Sequence, residues 1–165
     1  MKKGFTLIEI LIVVAIIAIL ASVVLVGLGP TQQAGRDARR ISDLHEVQNG
    51  LELYFQKCGY YPGVTAGPCD STASTGYTTM AAVLTGSSIG VSTIPEDPMN
   101  TGSHVYEFAT NGANATQYVL QADLENASSS VFISYSAPSN AGSVGSGDKI
   151  TAATCAAAHN YCISL

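Results

Sequence analysis

Residues 2–28, KKGFTLIEILIVVAIIAILASVVLVGL, restrict the chain more than any other stretch. Phe5 to Leu28 is a run of 24 residues broken by one carboxylate, Glu9. As a helix it reaches about 36 Å at ~1.5 Å per residue, against a hydrocarbon core of roughly 30 Å. The run is therefore long enough to span a bilayer. A cleaved secretory signal would have a shorter apolar centre and no acid at its entrance. A plain membrane anchor fits the length but leaves Glu9 unexplained, because a carboxylate in lipid is costly and marks a partner or a function. A core helix of a soluble domain would need cover on every side of the first 28 residues.

A cut between Gly4 and Phe5 accounts for the glycine and the glutamate together. Both lysines leave, and a new amino group appears one helical turn from Glu9. A lone buried ion then gains a cation, on its own helix or on a neighbouring copy. Gly4-Phe5-Thr6-Leu7-Ile8-Glu9, with basic residues before it and an aliphatic helix after it, resembles the type III signal of type IV pilins and of type II secretion pseudopilins. The resemblance implies cleavage by a prepilin peptidase after Gly4, N-methylation of Phe5, and a role for Glu9 in docking each subunit into a helical filament. It also implies an amino terminus in the cytoplasm and a carboxyl-terminal domain outside. Arg36, Arg39 and Arg40 compete with Lys2 and Lys3 in the positive-inside rule, so charge alone leaves that orientation open.

With 165 residues the chain has room for one small domain beyond the apolar run. The hydrophobic share of 47% is inflated by that run, and the remainder is rich in Gly, Ser, Thr and Ala. Formal charge is -5, and loss of Lys2 and Lys3 makes it -7. Beyond Arg40 only Lys57 and Lys149 are basic, against ten acids. Such a surface repels phosphate backbones, so no nucleic acid is expected as a ligand of the subunit.

Gly27, Gly29 and Pro30 predict a kink or a short melted stretch at the end of the first helical segment. From Thr31 the pattern is amphipathic, with Ala34, Ala38, Ile41, Leu44, Val47, Leu51, Tyr54, Phe55 and Cys58 along one stripe. Arg36, Asp37, Arg40, Asp43, Glu46 and Glu52 are expected opposite. The basic trio then either lies on a solvated face or meets anionic lipid heads or a neighbouring subunit's acids. Gly59 closes this segment and Pro62 forbids its continuation. A short helical turn is expected at Met80 to Leu84, and Pro95-Glu96-Asp97-Pro98 reads as a rigid turn. That order of signals resembles the major pseudopilins in particular. Strands are predicted at Val105–Thr110, Gln117–Leu124 and Val131–Tyr135. The fold class expected is α+β and pilin-like: a long amino-terminal helix packed on a small antiparallel sheet. Its divisions are a leader at 1–4, a membrane or filament-core helix at 5–29, an amphipathic helix at 30–58, a connecting region at 59–104, the sheet at 105–136, and a Gly/Ser-rich loop with a cysteine-containing tail at 137–165.

Cys58, Cys69, Cys155 and Cys162 all lie beyond the apolar run, and an even count in an exported domain favours disulfides. Four cysteines allow three connectivities; the local one, Cys58 with Cys69 and Cys155 with Cys162, is the expectation. The rival use of Cys155, His159 and Cys162 as metal ligands lacks a standard zinc spacing. Major pseudopilins often bind calcium in the carboxyl-terminal region, and here Asp123, Glu125, Asn126 and Asp148 are weak candidate ligands without a run of alternating acids. No cofactor is expected. His45, His104 and His159 have no nucleophile elbow, phosphate loop or paired acids around them, so no catalysis is expected either.

The resemblance thus implies a prepilin whose work is mechanical. Its partners would be copies of itself, the prepilin peptidase, an inner-membrane assembly platform, minor pilins and membrane lipid. The central segments favour a secretion pseudopilus, while the cysteine-bearing tail favours an adhesive, motility or DNA-uptake pilus. A membrane-anchored extracytoplasmic domain that does not polymerise is the alternative of a different class.

Overall fold

The structure is a computed structural model that describes residues 4–63, 69, 76–110, 115–126, 150, 155 and 159–165, with backbone alone at 23–27. One helix, α1 (Leu7–Cys58), runs for 52 residues. A second, α2 (Tyr77–Gly86), follows, and then β1 (Glu107–Thr110), β2 (Tyr118–Asp123) and β3 (Asn160–Ser164). The sheet is antiparallel with β2 in the centre. This is the expected α+β class, a long helix on a small antiparallel sheet.

No melted stretch divides α1. Pro30 lies inside the helix, whose backbone continues on both sides. Proline withholds one amide from the helical ladder and crowds the carbonyl one turn back, at a cost of about 3 kcal/mol, yet the helix continues on both sides of it. Gly59 ends α1 in the left-handed region at φ +80°, with its N–H on the Phe55 carbonyl at 2.8 Å. That is the conformation glycine adopts without a Cβ penalty.

From Leu44 onward the helix buries Leu44, Val47, Leu51, Tyr54 and Cys58, at steps of three and four. This line packs on one face of β2, through Tyr118, Leu120 and Ala122, and on Met80 and Leu84 of α2. The opposite face of the sheet has its own small core of Ala109, Val119, Ile150, Cys155 and Cys162. Alternation along β2 thus serves two cores, which is why five of its six residues are buried. The register pairs Phe108 with Leu120 and Leu120 with Ile163.

Two differences from expectation concern the elements beyond α1. The second helix extends for 10 residues rather than a single turn. The tail is not only a loop, because Asn160–Ser164 forms the third strand observed; the expected strand at Val131–Tyr135 lies outside the described residues. Tyr161 and Ile163 pack towards α1 while Cys162 turns to the other face, so β3 alternates over a very short span. Disulfides join Cys58 to Cys69 and Cys155 to Cys162. The first ties the end of α1 to the following loop, and the second staples β3 to the small core. Both tail thiols are therefore unavailable as metal ligands.

The amino-terminal half of α1 is different in kind. Its apolar side chains lie in the open, from Phe5 at 84% exposure through Leu20 at 62%. Among the described residues no helix is long and apolar enough to cross a membrane; described side chains stop at Ser22 and resume at Leu28. The case for a membrane span rests on the sequence of 5–28.

Candidate functional site

Two polar constellations punctuate α1. The first stands at its amino terminus. Thr6 is the N-cap, and its hydroxyl oxygen accepts the Glu9 amide at 3.3 Å. Glu9 answers with one carboxylate oxygen, which accepts from the Thr6 amide at 2.8 Å and from the Thr6 hydroxyl at 2.6 Å. This reciprocal capping box satisfies helix-end donors that would otherwise be bare. Hydrolysis between Gly4 and Phe5 would leave every atom of the box in place. Among the described residues, a Cβ added to Gly4 would meet nothing within 4 Å, so no packing against them demands glycine there.

The second constellation lies about 47 Å further along the helix, at ~1.5 Å per residue. Arg40 is fully buried and sits among three carboxylates. Its guanidinium is bidentate on Asp97, with Nε at 2.6 Å and Nη2 at 3.1 Å, and its Nη1 donates to Asp37 and to Glu125, each at 2.8 Å. Arg36 clasps the same Glu125 through two bonds of 2.6 and 2.5 Å. Asp37 also accepts the amides of Glu125 and Asn126, while Asp97 accepts those of Met99 and Asn100. The cluster therefore joins the rod to the Pro95–Pro98 turn and to the segment that follows β2.

Electrostatics follow from that packing. Burial alone would lower the affinity of Arg40 for its proton, but the bonds to Asp97, Glu125 and Asp37 outweigh it and hold the guanidinium charged. Burial pushes Asp97 up; the Arg40 bond and the two amides prevail and hold it below the usual carboxylate range. Arg36 is the chief reason that Glu125 falls to about 2, with Arg40 adding to it. Tyr106, whose hydroxyl donates to Asp43 at 2.8 Å, is driven upward by burial first and by Asp43 second.

The sequence expectation for this region needs correction. Arg40 and Asp37 are not on a face opposite the apolar stripe but inside, and Asp43 is buried too. Arg36 and Arg40 meet acids of their own head. Arg39 alone among the three is largely exposed, at 65% of its side chain, with a long 3.7 Å approach to Asp43. The signal was present: stepping back from Leu44 by four and then three along the buried line lands on Arg40 and Asp37, whereas Ala34 and Ala38 are exposed.

The weak calcium candidates meet a similar constraint. Asp123 and Glu125 line an open depression together with His104 and His159, but both Glu125 oxygens already accept from arginine. His104 Nδ1 lies 3.6 Å from an Asp123 carboxylate oxygen and 3.3 Å from its carbonyl. His159 Nδ1 lies 2.9 Å from the Leu124 carbonyl, which it bonds as the Nδ1–H tautomer. Asp148 lies outside the described residues. Among the described residues no group of three or more His, Cys, Asp or Glu side chains could hold a metal ion.

Residues 1–25 match the prokaryotic N-terminal methylation motif, so the chain carries the amino-terminal signature of prepilin-type proteins. It is further similar to the type II secretion system core protein G of Escherichia coli K12, at 33% identity over 66 residues, 40% of this chain and 46% of the relative. The protein of the same name from Aeromonas hydrophila is 32% identical over 66 residues, again 46% of its length. That from Pectobacterium carotovorum is 30% identical over 66 residues, 42% of its length. The chain thus spans about half the length of the curated relatives it matches. No solved structure matches it.

Proposed function

We propose that the chain is a precursor subunit of a type II secretion pseudopilus or a closely related type IV pilus, structural rather than enzymatic. The observation that carries this reading is the Thr6–Glu9 box at the head of a helix whose apolar side chains from Leu7 to Leu20 are exposed among the described residues. A peptidase hydrolyses the Gly4–Phe5 bond, and the freed Phe5 amine takes one methyl group. The open space around Gly4 supports a glycine kept for the protease rather than for packing. Until assembly, residues 5–28 hold the subunit in the membrane with the head outside. In the filament, rods pack against one another and trade lipid contacts for helix contacts. Glu9 and the new ammonium group then favour one register, because a misplaced subunit would leave a buried ion alone.

The match to core protein G in three bacteria favours the secretion branch. A stapled tail at Cys155–Cys162 is the feature that favours an adhesive, motility or DNA-uptake pilus instead. Amino-terminal sequencing and intact mass of the membrane-extracted protein test the first step: the chain should begin at Phe5 with one added methyl. Retention of Met1 to Gly4 in functional protein would overturn it. Glu9→Ala should still insert and be processed, yet yield few filaments; a normal yield would remove the role of Glu9 in assembly.

A further inference from the structure

One end of the head faces the apolar run. Tyr118, at the start of β2, donates to Glu52 at 3.3 Å, whereas Glu125, just past the end of β2, is held by Arg36 and Asp37. The strand therefore descends the rod towards the apolar segment. At its lower end lies an open depression of about 420 Å³, lined by Gln33, Ser103, His104, Asp123 and His159 and within the usual size of a small-ligand site. Gln33 is five residues past Leu28, about 7.5 Å along the helix. Headgroups add roughly 5 to 7 Å to each side of the hydrocarbon, so with residues 5–28 in a bilayer the lip of the depression meets them.

The depression presents both donors and acceptors. Gln33 and Ser103 are exposed and bring an amide and a hydroxyl. Asp123 brings a carboxylate that His104 Nδ1 approaches only to 3.6 Å, beyond a hydrogen bond. His159 spends its Nδ1–H on the Leu124 carbonyl and keeps Nε2 as an acceptor. Arg36 and Arg40 bring two positive charges to this end of the head, and Asp37, Asp97, Glu125 and Asp123 bring four negative ones. Such a surface repels an anion that carries no cation with it. We propose that the depression binds the headgroup of a phospholipid bearing a primary amine, whose ammonium donates to Asp123 and His159 Nε2 while its phosphate accepts from Gln33 and Ser103. The inference rests on the membrane reading above and names the lipid that the anchored subunit selects. The order of groups suits a lipid, since phosphate lies nearer the acyl chains than the amine does, as Gln33 lies nearer the apolar run than the rod residues that hold the end of β2. A trimethylated ammonium donates no hydrogen bond to Asp123, and a glycerol headgroup adds negative charge to a surplus of the same sign.

The test uses the full-length chain in detergent, offered phosphatidylethanolamine, phosphatidylcholine or phosphatidylglycerol with identical acyl chains, and native mass spectrometry reads the lipid retained. The ethanolamine lipid should be retained about tenfold better than either of the others, the scale of one charge-assisted hydrogen bond. Asp123→Asn should reduce that preference to within about twofold. Gln33→Leu, on the exposed rod, should cut retention of the ethanolamine lipid about threefold, the scale of one neutral hydrogen bond, and leave the head's melting midpoint unchanged. Equal retention of the three lipids by the parent overturns the site. Preference for phosphatidylglycerol also overturns it and assigns this end of the head to anions through Arg36. A preference that both variants keep in full places the lipid elsewhere and overturns it as well. Alkaline washing of cell membranes separates the two readings: a chain stripped off by the wash sinks both the anchor and the site, whereas an embedded chain without lipid preference sinks the site alone.

Discussion

The two halves of α1 share a backbone and almost nothing else. From Leu7 to Ser22 every side chain is exposed, and apart from Thr6 and Glu9 at the cap the surface is hydrocarbon with small residues. From Asp37 to Cys58 one line of side chains is buried at steps of three and four, and that line opens with an aspartate and an arginine. The half that looks greasy has no core, and the half that looks charged lies against one. Burial in this molecule follows what the sheet and the 95–98 turn present to the helix, whereas hydropathy reports the solvent for which a segment is built.

The contrast is broken most severely at Arg40. Arg40→Ala leaves Asp37, Asp97 and part of Glu125 buried without a counter-ion, and should lower head stability by about 3–5 kcal/mol. Thermal unfolding of the full chain in detergent, followed by near-ultraviolet circular dichroism of its tyrosines, checks it. A change under about 1 kcal/mol would show that the clamp contributes little. Next in size is acid. Glu125 and Asp97 have folded-state pKa values below their unfolded ones, so their contribution is present above the ordinary carboxylate pKa and is lost as pH falls towards about 2. The melting midpoint should hold between neutrality and about pH 5 and drop below about pH 4. Arg40→Ala should flatten that drop. The smallest effect sharpens the comparison from the other side. Ile12→Ala should leave the head's stability within about 0.5 kcal/mol of the parent, the range for surface substitutions. Leu51→Ala, also one aliphatic truncation, should cost about 2–4 kcal/mol.

Much of this architecture is legible in sequence because it is local. A 24-residue apolar run, the 44–47–51–54–58 spacing, Gly59 and the alternation in Gln117–Leu124 each depend on neighbours a few residues apart. The polar clamp was not legible as such, since its members come from 36, 37, 40, 97 and 125, and an arginine on a helix reads as solvated unless the partners that neutralise it are known. β3 was obscured for a related reason: Tyr161-Cys162-Ile163 alternates over too few residues to announce a strand, and its pairing with Leu120 and Ala122 is long-range. Of the kink or melted stretch expected at Gly27, Gly29 and Pro30, the melted stretch is absent: a residue that disfavours helix locally was overridden by the helix on both sides.

A helix of 52 residues runs on through Pro30 and is pinned to its head at Arg40. A lift applied to the head is carried down the hydrogen-bonded column towards its cap at Thr6, past the one amide that Pro30 withholds. Under the filament reading, an assembly machine that grips only the folded part therefore draws the oily segment out of the bilayer in one stroke, with the helix acting as a push rod and the buried guanidinium as its pin.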